Sequence, residues 1–455
     1  MRVLYIHQYF CTRAGKSGTR SYEFARHLVR NGHQVTMLTS TSDLSDLQLA
    51  PGQTVGRMRI EGIDVVAVRV AYSQTMTAPG RIWSFLRFMV VSAWLACRQR
   101  GHDVVIATST PLTVGIPGLL ASAVHRIPMV FEVRDLWPEA PIQMGVVRNP
   151  LLIAALRAFE RLVYRRSRSV IALSPGMRDG VLAAGTAPSK VTVIPNCSDL
   201  DLFQPGPADP DIVARYGLEG CFVAAYAGSM GEANDVGVLI DAAARIQVLA
   251  PEVRFLLIGQ GKQAEGVQAR VHALGIRNVV FAGSMPRQEV AKVLRTSQVC
   301  LVLFKNLPIL ATNSPNKLFD ALAAGRPVIV NSNGWTRALI QDHDAGLYAE
   351  PASAESLAAQ ILRLARDPEL QARTGRNARR LAESDFDRAK CAREFERVLC
   401  DAAGCETPPD RSAQDHKLGL HDRVVHPGSH EVQAGRHPAP APIGHIPVDT
   451  AHAGR

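Results

Sequence analysis

Thr312-Asn313-Ser314-Pro315-Asn316-Lys317-Leu318-Phe319-Asp320-Ala321-Leu322-Ala323-Ala324-Gly325-Arg326-Pro327-Val328-Ile329-Val330 reads as a capped helix running into an apolar strand. Ser314 suits a side-chain N-cap, Pro315 the first helical position and Gly325 the residue just past the end, which predicts a helix of about three turns. Its start offers unpaired backbone N–H groups and a partial positive charge, which a diphosphate needs, and Lys317 adds a full charge there. Asp320 shares the face of Lys317 one turn on, where a carboxylate can accept bonds from the hydroxyls of a ribose. An ordinary capped helix with a solvated Lys–Asp pair fits the same residues.

Outward from this segment the helix–strand rhythm repeats. Cys221 to Ala227, Arg254 to Ile258, Val279 to Ala282, Val299 to Leu303 and Val328 to Val330 read as strands, separated by helices such as Val236 to Gln247 and Ala354 to Ala365. Upstream, Val3 to Ile6, Val35 to Leu38, Val104 to Ala107, Met129 to Val133 and Ser169 to Leu173 do the same. Each set predicts βαβ units on a parallel sheet, so the fold class is α/β with two Rossmann-like doubly wound domains. Between them, Ile194-Pro195-Asn196 and then Pro205, Pro207 and Pro210 punctuate the chain as a linker does. The expected organisation is an N-terminal domain over 1–194, a linker over 195–218, a second domain over 219–384 and a C-terminal helix over 385–404 that returns to the first domain. A disordered tail follows over 405–455. From Glu406 on, the chain holds seven histidines and seven prolines but few large apolar residues, too little to offset ordering entropy.

The 455 residues carry 47% apolar and 20% charged side chains, a globular composition with no leader-like start, and point to a cytoplasmic chain. Eight cysteines without C-x-x-C spacing read as reduced thiols, and no metal or cofactor is expected. The net charge of +10 could suit nucleic acid, anionic lipid or phosphorylated substrates. Its placement in two apolar-rich helical segments, Arg81 to Arg100 and Arg157 to Arg168, favours a peripheral anionic membrane contact over nucleic acid. Ile82 to Cys97 is too short to span a bilayer, and with Trp83 and Trp94 it suits either a helix in the headgroup region or a core helix.

Four further stretches lie where α/β sheets bind ligands. Gly15 to Arg20 follows the first strand without Walker spacing; Gly18, Thr19 and Arg20 form a candidate cleft loop, with Arg20 either an anion contact or a surface charge. Phe131 to Glu139 sets Arg134 and Asp135 directly after an apolar strand, as active-site lining or as a structural ion pair beside Trp137. Gly228 and Ser229 follow the first strand of the second domain and allow close backbone approach. Lys262 sits in the next strand-to-helix turn, as a phosphate contact or a solvated lysine. Asp199-Leu200-Asp201 spells D-x-D, but it opens a proline-rich linker rather than closing a strand, which argues against metal binding.

These residues resemble the family 4 retaining glycosyltransferases of GT-B fold, in which two such domains face each other across a cleft. The resemblance covers about residues 1–400. The P-N-K-L-F segment from Pro315 and the R-D-x-W-P-E segment from Arg134 are similar to the branch that builds bacterial surface polysaccharide (O-antigen, capsule, exopolysaccharide), including the N-acetyl-fucosaminyl transferase type. The resemblance implies a metal-independent, retaining glycosyltransferase that moves a sugar from a nucleotide diphosphate, with UDP as the nucleotide, to a lipid-linked or glycan acceptor at the inner face of the membrane. It implies donor binding by Gly228, Ser229, Lys262, Asn313, Ser314, Pro315, Asn316, Lys317, Leu318 and Asp320, with Arg134 and Asp135 as the catalytic pair of which one or the other touches the transferred sugar. Thr312 and Asp320 stand where the family keeps two glutamates, and Cys197 where its linker keeps a glycine. A nucleotide-sugar epimerase on the same scaffold and a non-catalytic nucleotide- or lipid-binding scaffold are the competing readings.

Overall fold

The computed structural model describes residues 1–13, 15, 18–44, 49–70 and 76–408. Lys16 and Ser17 of the cleft loop, and the tail from 409 on, lie outside the described residues.

The N-terminal sheet holds β1 (Arg2–Ile6), β2 (Gln34–Ser40), β3 (Val55–Ile60), β4 (Ile63–Val68), β5 (Val104–Thr108), β6 (Met129–Val133), β7 (Ser169–Ala172) and β8 (Val191–Val193). Its order is β3-β4-β2-β1-β5-β6-β7-β8, parallel throughout except for the β3–β4 hairpin. The second sheet holds β9 (Phe222–Ala227), β10 (Val253–Ile258), β11 (Val279–Gly283), β12 (Val299–Val302), β13 (Val328–Val330) and β14 (Gly346–Tyr348) in the parallel order β11-β10-β9-β12-β13-β14. Strands β1, β5 and β6 are buried on nearly every residue because helices cover both faces, which is why they read as continuous apolar runs. In both sheets the order reverses beside the first strand, so the carboxyl ends of β1, β5, β9 and β12 open onto one crevice.

The start of the linker and the C-terminal helix are both tied to the N-terminal domain. Arg20, the first residue of helix Arg20–Arg30, is buried and donates from Nε to Glu132 Oε1 at 2.9 Å and from Nη2 to the Ile194 carbonyl at 2.9 Å. Neither reading of Arg20 is met: it is no surface charge, and its guanidinium is engaged by a buried carboxylate and the Ile194 and Pro195 carbonyls instead of facing the cleft. Helix Arg388–Ala403 packs on helix Arg20–Arg30, with the Phe395 ring 4.8 Å from Phe24 and 5.9 Å from Tyr5. There burial would raise the Glu396 carboxyl, but hydrogen bonds with His27, His33 and Asn31 win and hold it at about 2.

Helix Ala78–Arg98 is buried along one side only. Ser84, Phe88, Ser92 and Leu95 face inward, while Ile82, Trp83, Leu86, Val90 and Trp94 lie on the outer face, each at least 40% exposed. Leu151 and Leu152 of helix Pro150–Arg166 are also exposed. Among the described residues no helix is long and apolar enough to cross a membrane.

Candidate active site

The crevice holds a cavity of about 830 Å³ lined from both domains. Its C-terminal wall begins with two loops pressed backbone to backbone. Met230 N–H donates to the Gln260 carbonyl at 3.0 Å and Gln263 N–H returns a bond to Met230 O at 3.0 Å. Gly259 sits at φ +133° with Gly228 O only 1.9 Å from where a Cβ would stand, so no other residue fits that turn. Gly228, Ser229 and Gln260 thereby bring their backbones to the cavity.

The segment around Ser314 forms the floor, with one correction to the helix expected there. The helix is Asn316–Ala323, eight residues, and Ser314 does not cap it. Its Oγ instead accepts from Asn196 N–H at 3.1 Å, while the Asn196 side-chain amide donates to Ser314 O at 2.6 Å. The hydroxyl is spent on fixing the helix start against the linker. Asn313, Ser314, Pro315, Asn316 and Lys317 all line the cavity.

Lys317 reaches back under Gly228. Its Nζ donates to Asn234 Oδ1 at 3.0 Å and Tyr226 OH at 3.3 Å, and lies 4.5 Å and 4.9 Å from the Tyr226 and Phe304 ring centroids. No carboxylate pairs with it among the described residues, and burial lowers its ammonium to about 7. A partly buried amine supported only by neutral dipoles and aromatic faces can take up an incoming anion.

Asp320 is buried and held from two sides. Arg287 Nη2 donates to its Oδ1 at 3.0 Å, and Ser198 Oγ to the same oxygen at 3.2 Å. The Arg287 guanidinium stacks 5.0 Å from the Phe203 ring centroid. Arg287, which opens helix Arg287–Thr296 at the cavity edge, escaped sequence reading although it repeats the strand–glycine–helix pattern that had marked the other loops.

The N-terminal wall is built from the ends of β1, β5 and β6. Gly18, Arg134 and Asp135 line it, together with His7, Tyr9, Asp43 and Thr110, none of which the sequence had singled out. Thr110 Oγ1 donates to Asp135 Oδ2 at 2.6 Å, and burial raises the Asp135 carboxyl despite that bond and the nearby Arg134. Arg134 Nη1 donates to His7 Nε2 at 3.1 Å. Across the gap, a Cβ on Gly18 would stand 2.8 Å from Asn316 Nδ2, so the two walls nearly touch at that point.

Besides Arg20, three expected site residues lie elsewhere. Lys262 is exposed and outside the cavity lining, because its turn folds back against Met230. Leu318 is fully buried in the core on the far side of its helix, and Thr19 is buried behind Gly18. Thr312 also turns away, donating from Oγ1 to the Ile309 carbonyl at 2.7 Å while its own carbonyl accepts from Ser174. Among the described residues no cluster of three or more His, Cys, Asp or Glu has the arrangement to hold a metal.

Residues 17–197 match the family described as "Glycosyl transferase 4-like domain", and residues 211–381 match "Glycosyl transferases group 1". The chain is 26% identical over 228 residues to a 2-deoxystreptamine glucosyltransferase of Streptomyces kanamyceticus, covering 49% of this chain and 56% of that protein. It is 25% identical over 378 residues to a D-inositol 3-phosphate glycosyltransferase of Kribbella flavida, covering 80% and 86%. Anabaena Alr3699/HepE, solved in complex with UDP-glucose, has the same fold with a TM-score of 0.66 at 19% identity, covering 88% of this chain and all of that one.

Proposed function

We propose, on the premise that this chain is a family 4-type glycosyltransferase of GT-B fold, that it transfers a sugar from UDP to a lipid-linked or glycan acceptor of surface polysaccharide, with retention and without a metal. The observation that carries this reading is the uncompensated Lys317 at the helix tip beneath Gly228, in the same cavity as the Arg287–Asp320 pair. The diphosphate lies against the backbone N–H groups of Ser314, Asn316 and Lys317 and the Lys317 ammonium, and Asp320 receives the ribose hydroxyls. Lys262 is not needed for this grip.

Charge develops on the leaving diphosphate, and a fixed ammonium with aligned backbone dipoles stabilises it without reorganisation at the moment of transfer. Closure of the two walls at Gly18 and Asn316 expels water and aligns the acceptor hydroxyl with the anomeric carbon. The acceptor attacks on the face the diphosphate leaves, and a donor phosphate oxygen takes its proton. Asp135 contacts the transferred sugar from the opposite wall, with Arg134 beside it. No protein nucleophile is invoked.

The acceptor is a polyprenyl-diphosphate glycan met at the cytoplasmic face of the membrane, against which the outer side of helix Ala78–Arg98 lies. Support comes from Trp83, Leu86 and Trp94 exposed beside Arg87, Arg98 and Arg100, an apolar and basic combination suited to anionic headgroups. Incubation of the purified protein with UDP-sugars decides the class of reaction. Acceptor-dependent release of UDP supports transfer, conversion of the donor alone supports an epimerase, and neither supports a binding scaffold. Co-sedimentation with anionic vesicles, lost in Trp83→Glu with Leu86→Glu, tests the membrane contact.

A further inference from the structure

The arginines that bolt this molecule together are matched with carboxylates: Arg20 with Glu132 at 2.9 Å, Arg388 with Asp199 at 2.7 Å and Arg287 with Asp320 at 3.0 Å. Arg134 is different. Among the described residues it forms no ion pair, and Asp135 beside it is engaged by Thr110 instead. Its side-chain partner is the ring of His7, which follows β1 and is 2% exposed.

The hydrogen bonds fix the state of that ring. A guanidinium has donors only, so His7 Nε2 must offer a lone pair to Arg134 Nη1. The proton therefore sits on Nδ1, which donates to Ser21 Oγ at 2.8 Å. Ser21 is fully buried in the first turn of helix Arg20–Arg30, so the ring orientation is set by the fold. Burial, followed by the charge of Arg134, holds His7 well below its usual range, consistent with the neutral ring the bonds require.

A carboxylate in place of His7 would orient the guanidinium equally well but would cancel its field inside a cavity where charges are poorly screened. We infer that His7 is a positioning residue, aiming Arg134 into the cleft through a neutral acceptor so that its full charge remains for a phosphoryl oxygen of a substrate. That oxygen belongs either to the donor diphosphate or to a phosphate of the acceptor. The inference rests on the proposed transfer reaction and assigns an anion-binding role to its N-terminal wall.

Four variants test it: His7→Gln, whose Oε1 can replace the Nε2 acceptor, His7→Phe, His7→Glu and Arg134→Ala. Each is checked for folding by thermal melting, then compared in kcat, in KM for each substrate and in UDP affinity by calorimetry. His7→Phe is expected to lose ~10-fold or more in kcat/KM and His7→Gln to recover most of it, as for other residues that orient an active group. His7→Glu is expected to fall below His7→Phe, because orientation is kept while charge is quenched. Weakened UDP binding identifies the donor diphosphate as the anion, and unchanged UDP binding with raised acceptor KM identifies the acceptor phosphate. Full activity in His7→Phe with a defect in Arg134→Ala overturns the role of His7 alone, as does His7→Glu matching His7→Gln. An unimpaired Arg134→Ala overturns the role of Arg134 itself.

Discussion

Asn196 and Ser314 are joined twice, by a backbone N–H to Oγ bond of 3.1 Å and a side-chain amide to carbonyl bond of 2.6 Å. The linker thus fixes the start of the segment proposed to grip the donor. Ser314→Ala leaves the buried Asn196 N–H without its acceptor, a cost of about 1–3 kcal/mol. The expected outcome is a lowered melting temperature together with a raised donor KM, and Ser314→Thr, which keeps the oxygen, should remain near the parent. Melting curves and donor titrations of the two variants check this.

Gly18→Ala should separate closure from folding. The added methyl would meet Asn316 Nδ2 of the opposite wall at 2.8 Å. Gly18 has no positive φ to strain, so stability should change by less than about 1 kcal/mol. A misplacement of this size should lower kcat by ~10-fold or more, read in steady-state kinetics alongside a thermal melt.

The Arg287–Asp320 pair is buried enough that breaking it from one side is costly. Arg287→Ala strands the Asp320 carboxylate and Asp320→Ala strands the guanidinium, each expected to destabilise by about 3 kcal/mol, whereas Arg287→Met with Asp320→Leu should cost less than either. Donor binding should be lost in all three, because the ribose contact needs the carboxylate oriented. Denaturant melts and UDP titrations of the set give the coupling.

Lys317 sets stability against function. Its ammonium is at about 7 in the folded chain and at 10.5 when free in water, so folding removes a proton between those values and is penalised as pH falls from 10.5 to 7. Lys317→Met removes the penalty. The variant should melt higher than the parent at neutral pH, by about 2–4 °C for each kcal/mol recovered, and the gap should narrow as pH rises towards 10. Melting across that pH range checks the direction.

The central strands were legible because sheets covered on both faces need uninterrupted apolar runs, as in Val104 to Ala107 and Val328 to Val330. The β3–β4 hairpin was not, since Arg57 and Arg59 alternate with apolar residues on an edge strand and its turn is Glu61-Gly62, both at positive φ, rather than Asn-Gly. Lys317 and Asp320 were readable because helix periodicity fixes a shared face. Ser314 was misread as a cap because local sequence does not show that Asn196, far away in the chain, claims its hydroxyl. His7, Asn234 and Arg287 were invisible for the same reason: their roles come from neighbours that only the folded crevice supplies.

The most direct measurement of the donor grip is the heat of UDP binding at pH 8 in two buffers of different ionisation enthalpy. At that pH Lys317 is largely neutral in the empty protein, and a diphosphate beside it should restore its charge. The account predicts uptake of roughly one proton per UDP bound by the parent, with weak binding and no uptake in Lys317→Met. Tight binding without proton uptake, unchanged by Lys317→Met, would contradict it.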